Sequence, residues 1–281
     1  FNKYLSKGEV DIITLTTDFG FKDYFISVIK ASIYNEIPNA NVIDISNSIS
    51  PFNHSEAAYI LKNAFRAFPK NSIHIVGVDS EFSPENKHLL MRFDNHYFIG
   101  ADNGIFSLLL EGRKYDNLVE INIHNVSVSS FPVLDVFVKV AGHMSRKGNM
   151  EVVGIKTNEL KEIINVNPVI NESQTQLIGS VIYIDNFGNV VVNIKKNFFL
   201  EIQKSRDFVI YANSVKFQKI YNSYSEAIDF DIPKNKREEE GKKIAIWNSA
   251  DYLEIAIYKS NPSKVGSANS LFGLEFRTTI T

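Results

Sequence analysis

The sequence predicts an α/β chain: an N-terminal layered α/β domain with a mostly parallel sheet, followed by a smaller, mainly antiparallel β domain. Three observations carry this. Up to about residue 150, β-branched runs alternate with apolar residues at helical spacing, and alternating β and α units build layered, largely parallel sheets. Beyond that point the helical stripes give way to short β runs. Between the two regimes, Lys156 to Thr175 is polar, Asn-rich and interrupted by Pro168, the composition of a linker. The domains are therefore drawn as residues 1–165 and 166–281.

Taken in order, Asp11 to Thr16 is a β-branched run ended by an Asp-Phe-Gly turn and reads as a buried strand. Tyr24 to Asn35 reads as a helix and Val42 to Ile45 as the next strand. Pro51 stops the chain before a second helix, where Asn53 and Glu56 have capping-box spacing. Ala57, Ile60, Leu61, Ala64, Phe65 and Phe68 then share one helical stripe. Ile73 to Val78, Leu89 to Phe93 and His96 to Gly100 read as strands, and Leu134 to Met144 as an amphipathic helix. In the second domain the strands are Ile178 to Ile184, Val190 to Ile194, Phe208 to Ala212, Ile244 to Trp247 and Tyr252 to Tyr258. The mixed-charge run from Lys234 to Lys243 reads as a solvated loop.

Composition narrows the function. With 281 residues, 44% hydrophobic and 22% charged, the chain has ample core for two domains. A net charge of −2 gives no general attraction to nucleic acid or anionic membranes. No apolar run approaches the ~20 residues that span a bilayer. Phe1 to Gly8 lack the apolar core of a signal peptide. The absence of Cys removes disulfides, thiolate metal sites and Cys nucleophiles, and a cytoplasmic setting is the expectation. The six His lack metal-ligand spacing, so no metal or cofactor is expected. His54, His88 and His143 read as capping, surface or packed residues.

Two acidic turns stand out. Thr16-Thr17-Asp18-Phe19-Gly20-Phe21-Lys22-Asp23 leaves the first strand, and Ile184-Asp185-Asn186-Phe187-Gly188-Asn189-Val190 joins two β runs of the second domain. Each holds a carboxylate at a strand exit, where open α/β sheets place their ligands, and together they suggest one polar ligand gripped from two sides. Only 17 residues precede Asp18, leaving no room for the upstream parts of a kinase site. There is no P-loop, Gly-x-Gly-x-x-Gly or Gly-x-Ser-x-Gly motif. Asp79 follows the third strand on the same predicted edge as Asp18, as a turn cap or a functional acid. Asn103 in Ala101-Asp102-Asn103-Gly104, and Asn248-Ser249, read equally as turn residues or as ligand contacts.

These segments, with Val42-Ile43-Asp44-Ile45-Ser46, Pro51-Phe52, Leu253-Glu254-Ile255-Ala256 and Gly266-Ser267-Ala268, resemble in order and spacing the S-adenosyl-L-methionine (SAM) hydroxide adenosyltransferase family, relatives of SAM-dependent chlorinases and fluorinases. The resemblance runs from about Asp11 to Thr281. It implies the two-domain fold already described, and a homotrimer with each site between one subunit's N-terminal domain and a neighbour's C-terminal domain. It implies SAM as substrate, with Asp18 on the ribose diol, Asp23 and Asp185 at the methionine ammonium, and Ser249 beside that end. Phe52, Phe187 and Phe131 would line the pocket, and Asn189 would meet the adenine edge. Asp79 would be the catalytic carboxylate for attack of water or hydroxide at the ribose 5′ carbon, giving adenosine and methionine.

The sequence departs from the family where water is activated. The family follows its Asp with Pro-Gly-Val-Gly and, further on, an Arg; here Ser80-Glu81-Phe82-Ser83 follows and no Arg stands in the loop. The family's Phe-His-Gly-Arg-Asp segment is Phe131-Pro132-Val133-Leu134-Asp135, and a further family His is Asn47. Lys87 and His88 are the residues of that loop able to restore a positive group. Pro132 and Val133 lack the donors a halide pocket needs, which disfavours halogenation. The expectation is a SAM hydrolase, slow or using a substituted base; the alternative is a non-catalytic SAM- or adenosine-binding protein.

Overall fold

The computed structural model describes residues 11–123, 130–164, 166–237 and 239–281; the segment Phe1 to Gly8, read above for a targeting signal, lies outside them. The chain packs as two compact units, Phe1–Asn165 and Val166–Thr281. Among the described residues, no helix is long and apolar enough to cross a membrane.

The first unit runs β1 (Ile12–Thr17), α1 (Phe25–Glu36), β2 (Asn41–Ser46), α2 (His54–Ala64), β3 (Ile73–Gly77), β4 (His88–Phe93), β5 (His96–Ala101), α3 (Ile105–Leu110), β6 (Asn117–Ile121), α4 (Val138–Ser145) and β7 (Gly154–Lys156). Its strands form one sheet in the order β2-β1-β3-β5-β4-β6-β7. β1 is parallel to β2 and β3, and β3 to β5; the remaining pairs are antiparallel. The α/β class is as expected, with the parallel strands gathered in one half of the sheet. The other half turns antiparallel at the β4–β5 hairpin. Its loop residues Asp94 and Asn95 both have positive φ, 53° and 63°, the type I′ geometry that matches strand twist.

Alternation along the strands sends side chains to two faces. Ile13 and Leu15 of β1 and Ile73 and Ile75 of β3 pack with α1 and α4. Val76, Leu89, Met91 and Phe98 pack with α2 and α3 on the other face. The cap of α2 forms as its spacing suggests: Asn53 Oδ1 accepts from Glu56 N at 3.1 Å. Glu56 returns to the side-chain amide of Asn53 at 3.0 Å and to Ser50 N at 3.3 Å, because Asn53 N is already bonded to Ser50 O. The helix expected from Leu134 opens as a π turn, Val133–Phe137, and becomes α-helical only at α4. Residues read as a linker pack in part on α3, with Ile163 N donating to Ser107 Oγ at 3.0 Å.

The second unit comprises β8 (Val169–Ile170), β9 (Leu177–Ile184), β10 (Val190–Lys195), α5 (Lys196–Gln203), β11 (Ile210–Ala212), β12 (Val215–Phe217), β13 (Ile220–Tyr221), β14 (Lys243–Trp247), β15 (Tyr252–Ile257), α6 (Ala268–Phe272) and β16 (Thr279–Ile280). The main path of its sheet is β12-β11-β16-β9-β10-β15-β14-β13, with β8 paired to β9. Among the described residues only β13 and β14 run parallel, so the unit is mainly antiparallel. Trp247, Leu253, Ile255 and Phe272 anchor its core.

Across β1, β3 and β5 runs a buried polar chain: Thr14 Oγ1 meets His74 Nδ1 at 2.7 Å, and His74 Nε2 meets His96 Nδ1 at 3.1 Å. Burial, aided by His96, pushes the His74 pKa from 6.5 down to about 3. Below 6.5 the unfolded chain takes up a proton that the folded chain refuses. Stability therefore falls as pH drops from 6.5 toward 3, by up to about 1.4 kcal/mol per pH unit. The melting temperature should decline between pH 7 and pH 5, and His74→Gln should flatten that decline.

Candidate active site

From β1 the chain passes to β2 on one side and then crosses to β3 on the other. The carboxyl ends of β1 and β3 thus flank a topological switch point, the position where open α/β sheets bind ligands. Asp18 follows β1 directly, and Asp79 lies two residues beyond β3. Gly20, at φ 68°, permits the tight exit of the first turn, and its N–H donates to Asn47 O at 2.7 Å. Thr17 Oγ1 donates to Asn47 Oδ1 at 2.9 Å.

The segment between β2 and α2 crosses both acids. Ile49 N donates to Thr17 O at 3.2 Å, and Phe52 N donates to Asp18 Oδ2 at 3.0 Å. Two residues on, His54 Nε2 lies 2.9 Å from Asp79 Oδ2. Phe52 holds a left-handed backbone, φ 59°, a conformation costing a bulky residue on the order of 1–3 kcal/mol and maintained here where its N–H meets a carboxylate.

Asp79 itself is left-handed, φ 45°, a region that Asp tolerates better than most residues. Its carbonyl accepts from Asn86 Nδ2 at 3.0 Å and Asn103 Nδ2 at 3.2 Å. Asn103, only 3% exposed, also donates to Val78 O at 2.8 Å, and its Oδ1 accepts from Ile105 N at 3.3 Å. Asn103 is thus the backbone-capping residue of the two readings left open by the sequence. The two basic residues expected near Asp79 turn elsewhere. Lys87 Nζ pairs with Glu120 at 2.8 Å, and this partner raises its pKa. His88 is buried, with Nε2 3.0 Å from Ser80 O and its ring edge-on to Phe137.

Phe131 packs at the end of this layer, edge-on to Phe19 and Phe25 with ring centroids 5.4 and 5.5 Å away. Asp23 is exposed just ahead of α1, and Phe52 is 71% exposed.

In the second unit the acidic turn closes on itself. Asp185 Oδ1 accepts from Phe187 N at 2.8 Å and Asn189 N at 2.9 Å, and Oδ2 from Asn189 Nδ2 at 3.0 Å. Gly188, φ 70°, lies so close to Ser267 that a Cβ would overlap its side chain, and Asn269 N donates to Gly188 O at 3.0 Å. The Gly266-Ser267-Ala268 motif therefore supports the Asp185 turn. Asn189 Nδ2 also meets Tyr224 OH at 3.2 Å, and Tyr224 OH donates to Glu254 Oε1. Burial is the main cause that raises the pKa of Glu254. The Phe187 ring is exposed. Ser249 is exposed in the turn between β14 and β15, where Asn248 Oδ1 accepts from Ala250 N and Tyr252 N, each at 3.0 Å.

The structure therefore joins Asp18 to Phe52 and Asp185 to Phe187 and Asn189. Among the described residues it makes no side-chain hydrogen bond from Asp23 or Ser249 to those groups. Sequence reasoning missed His54, Asn86, Tyr224 and Glu254 as neighbours of the acids. For His54 a signal existed, two residues past Phe52, but a His opening a helix reads first as a capping residue.

The model of the SAM hydroxide adenosyltransferase N-terminal domain matches residues 13–154, and that of the C-terminal domain matches 179–281. This chain belongs to the SAM hydroxide adenosyltransferase family. Within it, the chain is 30% identical over 278 residues to the (R)-S-adenosyl-L-methionine hydrolase of Methanocaldococcus jannaschii, covering 97% of this chain and 98% of that one. It is 22% identical to the enzyme of the same name from Thermus thermophilus, covering 92% and 94%. An uncharacterized conserved protein of Thermotoga maritima superposes with a TM-score of 0.79 at 26% identity, over 96% of this chain and 98% of that one.

Asn103→Ala would remove the side-chain donor to the Val78 carbonyl, one of two donors to the Asp79 carbonyl, and the acceptor for the first N–H of α3. Urea unfolding should show a loss of about 1–3 kcal/mol.

Proposed function

We propose that this chain hydrolyses SAM to adenosine and L-methionine by attack of water or hydroxide at the ribose 5′ carbon. The observation that carries the reading is the pair of carboxylates, Asp18 and Asp79, held by one crossing segment at the switch point of the sheet. The kinship with (R)-S-adenosyl-L-methionine hydrolases over nearly the whole chain supports it.

Each proposed role follows from bonding capacity that remains. Asp18 spends part of one oxygen on Phe52 N, and a carboxylate offers about four lone-pair sites, enough to take both ribose hydroxyls. Asn189 has committed its amide N–H groups to Asp185 and Tyr224, so its Oδ1 is the atom left to accept from the adenine amino group. Asp23 and Asp185 supply negative charge for the methionine ammonium, with Ser249 beside it. Phe52, Phe131 and Phe187 offer aromatic faces for the sugar and base.

In the reaction an O–C5′ bond forms as the C5′–S bond breaks, and its electron pair leaves on sulfur. The sulfonium becomes a neutral thioether, so the leaving group brings its own activation. Asp79 aligns the water and takes its proton, a role that contributes ~10²–10⁴-fold. We further infer a cytoplasmic homotrimer with each site completed by a neighbouring subunit. The exposure of Phe52 and Phe187, 71% and 61%, supports an interface there.

Incubation with SAM should release adenosine and methionine beyond one equivalent, followed by chromatography. Asp79→Asn should lower that rate by about 10²-fold or more while SAM still raises the melting temperature. SAM-dependent melting without product would instead indicate a binding protein. Light scattering should give the mass of a trimer, and a fully active monomer would overturn the shared site.

A further inference from the structure

We propose that His54 is the positioning residue of water activation, acting through Asp79; this rests on the hydrolase reading above. His54 Nε2 lies 2.9 Å from Asp79 Oδ2, so one ring N–H directed at that oxygen fixes the carboxylate rotamer. Asp79 Oδ1 has no hydrogen-bond donor among the described residues, and it is the atom presented to the water. Both side chains are partly open, 26% and 34% exposed, which admits water and lets the proton leave.

The backbone that carries His54 is fixed on both sides. Asn53 caps α2 immediately before it, and Phe52 N is bonded to Asp18 one residue earlier. The ring is therefore delivered to Asp79 by the same segment that orients Asp18. The other basic residues near Asp79 are directed elsewhere: Lys87 pairs with Glu120 and His88 meets Ser80 O. Among the described residues, His54 is the basic side chain placed on the Asp79 carboxylate.

In the step itself, the water oxygen bonds to C5′, the C–S electron pair leaves on sulfur, and the water proton passes to Asp79 Oδ1 and on to solvent. His54 touches no reacting atom. Its contribution is to hold Asp79 in the orientation that receives the proton, so it should register in kcat rather than in KM.

The test compares His54→Leu, which fills similar space but cannot donate, with His54→Gln, whose amide can. His54→Leu should lower kcat about 10–10²-fold and leave KM within about threefold, and His54→Gln should recover most of that loss. Both variants should melt close to the parent. A His54→Leu kcat within about twofold of the parent, or a His54→Gln no better than Leu, would overturn the role of His54 alone. A parent that releases no adenosine from SAM would overturn both this role and the hydrolase reading.

Discussion

The parallel pairing of β1 with β3 is the constraint on which the two acids of the first unit depend. It sets Thr17 opposite Gly77, and so places the exits to Asp18 and Asp79 side by side at the edge where the chain reverses its winding. Everything else at that edge refines the placement. The crossing segment hydrogen-bonds to both acids, and Asn86 and Asn103 hold the Asp79 carbonyl. Neither acid depends on its own turn alone.

The second unit solves the same problem by different means. Its acidic turn sits in an antiparallel hairpin, where no crossover helix is present to cover it. Asp185 instead accepts the turn's own amides, and the segment around Ser267 closes beneath it through Gly188. One acid is held by tertiary crossing and the other by local bonding with a small-residue support.

Much of this was legible in the sequence. The β1 exit, the α2 cap at Asn53 and the Asp185 turn all announced themselves through local chemistry: a Gly after an acid, and an Asn three residues before a Glu. The antiparallel half of the first sheet did not, because Asp94-Asn95 separates two apolar runs that fit either topology until their turn is known. The partner of Asp79 was hidden for a different reason. Sequence proximity pointed to Lys87 and His88, but Glu120 and the Ser80 carbonyl hold them, and those pairings depend on strand register. His54 reaches Asp79 across 25 residues, a distance that only the crossover of α2 closes.

The crossing segment also limits how this protein can change over time. The bond to Asp18 comes from the backbone of residue 52, so any residue but proline can supply it. Length is another matter. An insertion or deletion of one residue between Asn47 and Asn53 would displace the two anchors by up to ~3.5 Å, releasing Asp18 and Asp79 together. The length of the segment is tied to two tasks at once.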